Sequence, residues 1–207
     1  MKNLMTLICL AYIFSFSNAI NAQEIASSET IVPANYKKRS PIYDYSEEKI
    51  SNTDTIADFN TKENKIKITG TIYLADGVTP AKDVLFYVCQ PDENGEYELK
   101  RDEYSKRYVH HRGWVKTDAD GRYTFYTFIP GKFLRVKELK QIHRIIKQPG
   151  QPEQEISSFF FNDDPLLANL TLEARAKTIK SMLKLKKEGD MYVATKDIKL
   201  NDNVASL

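Results

Sequence analysis

The groups in this chain able to do chemistry are three histidines, two cysteines and a scatter of tyrosines and carboxylates. His110 and His111 are adjacent and His143 is distant. No Ser-His-Asp or Cys-His triad can be assembled from them, and hydrolase chemistry has no positive support. On a strand the pair His110-His111 would point to opposite faces, so at most one of them is expected in any one site. Thr117-Asp118-Ala119-Asp120-Gly121-Arg122-Tyr123 opens like a calcium loop, but the twelfth place counted from Asp118 is Ile129, where an acid is needed. That segment is read as a hairpin turn feeding a strand. Asn169-Leu170-Thr171 fits an N-glycosylation acceptor, and helix capping by Asn169 or Thr171 explains it equally well.

The elements that must position these groups lie behind an export signal. Lys2 precedes an apolar run from Leu4 to Phe16, followed by Ser17-Asn18-Ala19 and Ile20-Asn21-Ala22, either of which suits a cleavage point. The run is about 13 residues where a membrane span needs about 20, so residues 1–22 are read as a signal peptide and the protein as secreted or periplasmic. Cys9 sits too early for lipid attachment and leaves with the signal. Cys89 then remains as a lone thiol, expected to be buried as a small apolar residue behind Phe86-Tyr87-Val88, with intermolecular pairing as the alternative. No intrachain disulfide or cysteine zinc site can form.

Residues 23–64 are rich in Ser, Thr, Asn, Asp and Glu, without helical or strand period, and read as a polar arm or linker. Its tyrosines Tyr36, Tyr43 and Tyr45, beside Lys37-Lys38-Arg39, either dock on the domain or travel with a free tail. From Lys65 the pattern changes. Ile66, Ile68, Ile72 and Leu74 alternate in a period of two and meet a turn at Asp76-Gly77. Further strands are predicted at Asp83 to Cys89, Tyr108 to Thr117, Arg122 to Phe128, Ile142 to Lys147, Ile156 to Phe161, Met191 to Thr195 and Asp197 to Leu200. Turn dipeptides separate several of them: Asn94-Gly95, Asp120-Gly121, Pro130-Gly131 and Pro149-Gly150. Short strands so spaced predict an all-β sandwich or barrel over 65–207.

One C-terminal helix is predicted from about Leu170 to Lys187, with Leu172, Ala176, Ile179 and Leu183 on one face, lysines on the others and Gly189 as its stop. Its basic side is read as a solvated face. The chain has 207 residues, 42% of them hydrophobic and 28% charged, enough for one domain with a core. Thirty Lys+Arg against 28 Asp+Glu leave +2 with the signs interspersed. No basic field exists to drive binding to a phosphate backbone, which argues against a nucleic-acid partner.

The more specific signal is an ordered series of segments. Ile68-Thr69-Gly70-Thr71-Ile72-Tyr73 comes first, then Asn94-Gly95-Glu96-Tyr97, then Gly113-Trp114-Val115-Lys116-Thr117-Asp118 running on to Phe125. Thr127-Phe128-Ile129-Pro130-Gly131-Lys132-Phe133, Gln141-Ile142-His143-Arg144-Ile145-Ile146-Lys147-Gln148-Pro149-Gly150 and Phe161-Asn162-Asp163-Asp164-Pro165-Leu166 complete it. In order and spacing, from about Lys65 to Asn203, the chain resembles the intradiol ring-cleavage dioxygenases, the family of catechol and protocatechuate dioxygenases, especially secreted single-domain members.

What the resemblance implies is a β-sandwich holding one non-haem Fe(III) through two tyrosines and two histidines. Phenolate is a hard anionic donor suited to that ion. The deprotonated diol binds the iron, O2 attacks the activated ring, and the bond between the hydroxylated carbons breaks. Carried over residue by residue, the first tyrosine ligand falls on Tyr97 and the second on Phe133. The His-Ile-His falls on Gln141-Ile142-His143, registered by the Ile-Ile-Lys-x-Pro-Gly that follows. Two ligand positions are therefore replaced. Phenylalanine has no donor atom, and glutamine offers a neutral amide oxygen in place of imidazole. Tyr97 and His143 alone are expected to hold iron weakly, with rescue by His110, His111, Glu138 or Tyr126 as the alternative.

Two functions follow from this. One is an Fe(III)- and O2-dependent cleavage of catechol-type aromatic diols, with Tyr97 and His143 as ligands and Gln141 completing a modified set. The other is a non-catalytic extracellular module without cofactor, whose cleft, lined by Tyr97, Tyr126 and Phe133, takes an aromatic or sugar ligand. A third reading is an extracellular structural or adhesion domain using the Lys-rich helix. After signal cleavage no membrane span is expected.

Overall fold

The computed structural model describes residues 33–132 and 138–200. The expected signal peptide at 1–22, with Cys9, and the ligand position Phe133 lie outside the described residues. The chain divides into two units, Met1–Tyr36 and Lys37–Leu207. In the first, the described residues close a turn in which the Tyr36 amide donates to the Pro33 carbonyl at 2.8 Å.

The second unit is built from short strands: β1 Thr53–Thr55, β2 Lys65–Tyr73, β3 Leu85–Cys89, β4 Leu99–Arg101, β5 Arg107–Val109, β6 Arg112–Lys116, β7 Arg122–Phe128, β8 Gln141–Lys147 and β9 Glu153–Phe161. After the helix α1, Leu172–Lys180, come β10 Met182–Leu183, β11 Lys186–Glu188, β12 Met191–Thr195 and β13 Ile198–Lys199. A first sheet runs β1-β7-β2-β12-β11, with β13 also on β2; a second runs β10-β9-β8-β3-β6; β4 and β5 form a small hairpin. The period of two decides which side is buried. In β2 the residues Ile66, Ile68, Gly70 and Ile72 are covered while their neighbours stay partly exposed.

The two sheets close on one core. Ile66, Ile68, Tyr123 and Phe125 from the first sheet meet Phe86, Val88, Val115, Ile142, Phe159 and Phe161 from the second. Phe86 is the hub, with Tyr123, Phe125 and Phe159 packed edge-on around it at 5.1, 5.3 and 6.3 Å between ring centroids. Each large side chain so buried contributes roughly 1.5–3 kcal/mol. Among the described residues the chain is thus all-β with one α-helix, as its alternation predicts. The Asp118 segment is a turn: its carboxylate accepts from the Asp120 and Arg122 amides. Gly121 there has φ +68°, and a Cβ on it would lie 2.5 Å from the Ile72 carbonyl oxygen, so only glycine fits.

Between Lys37 and Asn64, where the composition suggests an arm or linker, the described residues pack on the sandwich. Ile42 is fully covered over Leu85 and Tyr87 on the outer side of the second sheet. The Pro41 carbonyl accepts from the Trp114 indole at 3.0 Å. β1 runs parallel to β7 and places Ile56 in the main core. Of the two alternatives for the tyrosines, Tyr43 and Tyr45 show docking. Tyr43 donates to Glu153, and Tyr45 packs against the cluster of Ile42, Leu85 and Tyr87. The anchors are single apolar residues spaced without period, which is why no element was legible there.

The helix corrects the sequence reading. It spans Leu172–Lys180, is capped by Thr171 accepting from the Ala174 amide, and stops at Ser181. Its supposed apolar face is not buried. Leu172 is 87% exposed and Ile179 55%, while only Thr178 of the helix is covered. Leu183 reaches the core from β10, parallel to β9, and Gly189 serves the turn between β11 and β12. Met182-Leu183-Lys184-Leu185 carries a period of two as well as a helical one, and pairing with Phe160 and Phe161 selects the strand.

Candidate functional site

Tyr97 is delivered by a tight turn. The Asp92 carboxylate accepts from the Asn94 and Glu96 amides, and the Asp92 amide donates to the Glu96 carbonyl. Gly131 fixes this turn against the Pro130-Gly131 corner. Its amide donates to the Asp92 carbonyl at 2.7 Å, and a Cβ on it would sit 2.2 Å from the Glu93 carbonyl oxygen. At the root of the loop Gln90 is fully buried, donating to the Phe128 carbonyl and accepting from Thr127.

His143 lies on β8, alternating with the core residues Ile142 and Arg144, and so faces outward. The rings of Tyr97 and His143 come together, with centroids 6.0 Å apart at 40°. Cys89 is the direct cross-strand partner of His143, and Arg112 is that of Cys89 on β6, making an outward row Arg112–Cys89–His143. The β8–β9 register shifts between Ile142 and Arg144, a bulge opposite His143 whose Ser157 carbonyl accepts from the Arg144 guanidinium. Burial, together with the nearby Cys89 and Glu138, pushes the Tyr97 phenol well above its ordinary range. Burial likewise raises the Cys89 thiol, against the opposing pull of the Tyr87 hydroxyl and Arg112, so it is protonated at neutral pH and a poor nucleophile.

The structure thus brings Tyr97 and His143 together, and Gln141 opens the same strand two residues before His143, on the same face. Cys89 is a neighbour that sequence reasoning missed, because only the β3–β8 register reveals it. Three residues weighed as further ligands are elsewhere. Tyr126 projects from the outer side of the other sheet, against Phe59 and Lys67. His111 turns toward Phe128 and the layer between the sheets, and both His110 and His111 reach Asp58. The expectation that only one of this pair joins any one site fails, because they fall between β5 and β6 rather than on a strand. A separate cleft of about 690 Å³, lined by Arg144, Lys177, Lys180, Lys196 and Asp197 among others, is basic rather than aromatic.

No protein-family model matches the chain, and no curated relative matches it either. Solved structures do. The dioxygenase domain of a dioxygenase–carbohydrate-binding protein fusion from Streptomyces sp. SirexAA-E superposes with a TM-score of 0.59 at 20% identity, over 73% of this chain and 88% of that one. The fold is that of the intradiol ring-cleavage dioxygenases. An intradiol ring-cleavage dioxygenase from Tetranychus urticae gives a TM-score of 0.56 at 20% identity, over 76% and 89% of the two chains. 3-Chlorocatechol 1,2-dioxygenase from Rhodococcus opacus 1CP gives 0.55 at 19%, over 72% of this chain and 63% of that one.

The donor set of this intradiol-fold chain does not fit the ferric iron that the resemblance implies. Phe133 brings no donor and Gln141 a neutral amide. The added neighbour Cys89 is a protonated, soft sulfur rather than a hard anion. Tyr97 and His143 remain as a phenol–imidazole pair on an outward, partly covered face.

Proposed function

We propose that this protein is an exported, intradiol dioxygenase-like module that no longer cleaves aromatic diols and serves as a non-catalytic binding domain. Its binding face is the surface around Tyr97 and His143. The observation that carries the reading is the pairing of those two rings with Gln141, not a second histidine, beside them on β8. A hard trivalent ion held by one phenolate and one imidazole loses half the ligands that the resemblance implies. The ring face of Tyr97 and the polar edges of His143 and Gln141 suit a flat ligand with hydroxyl groups, an aromatic diol or a sugar. One of the similar structures comes from a dioxygenase–carbohydrate-binding fusion, which favours testing both.

The test is metal analysis and a visible spectrum of freshly purified protein, followed by assay on catechol with oxygen consumption. The expected result is a colourless protein with substoichiometric iron and no turnover. Iron uptake with a tyrosinate-to-iron absorption band should appear only in the double variant Phe133→Tyr/Gln141→His. Full iron occupancy with O2-dependent ring opening by the unmutated chain would overturn the reading and establish a dioxygenase with a modified ligand set.

A further inference from the structure

Away from the Tyr97–His143 face, Asp58, Glu98, His110 and His111 converge from three segments, each with a donor atom within 4.8 Å of all the others. Asp58 precedes the 3-10 turn Phe59–Thr61 and holds a left-handed backbone at φ 65°. Glu98 stands just before β4, and its carbonyl accepts from the His110 amide at 2.8 Å. His110 and His111 occupy the link between β5 and β6. Their Nε2 atoms lie 3.1 and 3.2 Å from the same Asp58 Oδ2. Donors about 2.0–2.2 Å from a tetrahedral ion are about 3.4 Å from one another, so these spacings need little adjustment to close on one.

His111 is held in place by its packing. It is 1% exposed, its ring is held edge-on by Phe128 at 5.0 Å, and its Nδ1 has no hydrogen-bond partner among the described residues. Packing this tight fixes the ring's orientation in the folded chain. Here the ring's polar contact is directed through Nε2 at the acid cluster.

We propose that Asp58, Glu98, His110 and His111 form a binding site for a divalent transition-metal ion of the zinc class. Two imidazoles and two carboxylates neutralise such an ion and supply the nitrogen and oxygen donors it prefers. The present occupant of the gap is an ammonium: Lys100 Nζ lies 3.0 Å from His110 Nε2 and 3.1 Å from Glu98 Oε1. Lys100 is 41% exposed on a flexible stem and can swing into water when a doubly charged ion takes its place. The ion would clamp the loop before β2 to the β4–β5 hairpin. Because Glu98 follows Tyr97, it would also stiffen the approach to the aromatic face.

The experiment is calorimetric titration of chelator-stripped full-chain protein with Zn2+, with melting temperatures measured in parallel. One Zn2+ per chain is expected, with a rise in melting temperature at saturation. Binding should weaken at least about tenfold in His110→Ala and in Glu98→Gln, tighten in Lys100→Ala, and stay unchanged in His143→Ala. The first three residues are partly exposed, so their variants should remain folded. Absence of stoichiometric zinc, zinc uptake that survives both His110→Ala and Glu98→Gln, or uptake lost in His143→Ala would each overturn the proposal. The last would place the ion at the other site.

Discussion

Lys106 and Asp44 form an ion pair at 2.6 Å with 6% and 5% of their side chains exposed, joining segments 62 residues apart. Lys106 also donates to the Arg39 carbonyl, and Arg39 and Arg112 both approach the same carboxylate. One acid therefore serves several cations in a covered place. Removing it takes the nearest anion away from the covered Lys106 ammonium. Asp44→Ala should lower unfolding stability by about 3–5 kcal/mol, read from urea midpoints. A loss below about 1 kcal/mol, the range of exposed pairs, would mean that the 37–50 segment is not seated as described.

Leu172 and Leu183 share a face in the helical reading of 170–187 and differ completely in the folded chain. Leu183 is fully buried on β10, whereas Leu172 is 87% exposed at the start of α1. Leu183→Ala should cost about 2–5 kcal/mol, and Leu172→Ala should change stability by no more than about 0.5 kcal/mol. Equal losses at the two positions, measured by chemical denaturation, would restore the continuous helix.

Asp76 closes the turn after β2. It accepts from the Thr79 hydroxyl at 2.5 Å and from the Val78 and Thr79 amides at 2.9 Å, which together hold its carboxyl down to about 2 from an ordinary 3.8. A folded value below the unfolded one means the stabilisation is present above the unfolded value and is lost as pH falls through the folded one. The stability gap between the parent and Asp76→Asn should therefore be fully open near neutral pH and narrow from about pH 4 to about pH 2. An NMR titration of the Asp76 carboxyl gives the same answer directly, and an ordinary midpoint would refute it.

Much of the fold was legible because alternation is a local record of which side chains face the core. Ile66, Ile68 and Ile72 announce β2, and Tyr123 and Phe125 announce β7. The candidate site was legible only in part. The folded chain brings together the rings of Tyr97 and His143, which the motif order singled out. Cys89 beside His143, Tyr126 on the opposite sheet and the meeting of His110 with His111 at Asp58 were not visible. Each depends on strand register or on a break between strands, which no local pattern carries.

By itself the amino-acid sequence determined the kinds of side chain available: a phenol at Tyr97, a benzene ring at Phe133, an amide at Gln141 and an imidazole at His143. Donor chemistry belongs to the residue and survives any packing, so the donor atoms those positions can offer were fixed before folding. Tertiary structure decided what competes over distance. It ended α1 at Lys180 by offering Leu183 a place beside Phe161, seated Ile42 over Tyr87, and turned both His110 and His111 toward Asp58. In each case the local chain had two acceptable conformations. Burial and pairing with residues remote in sequence supplied the free-energy difference between them.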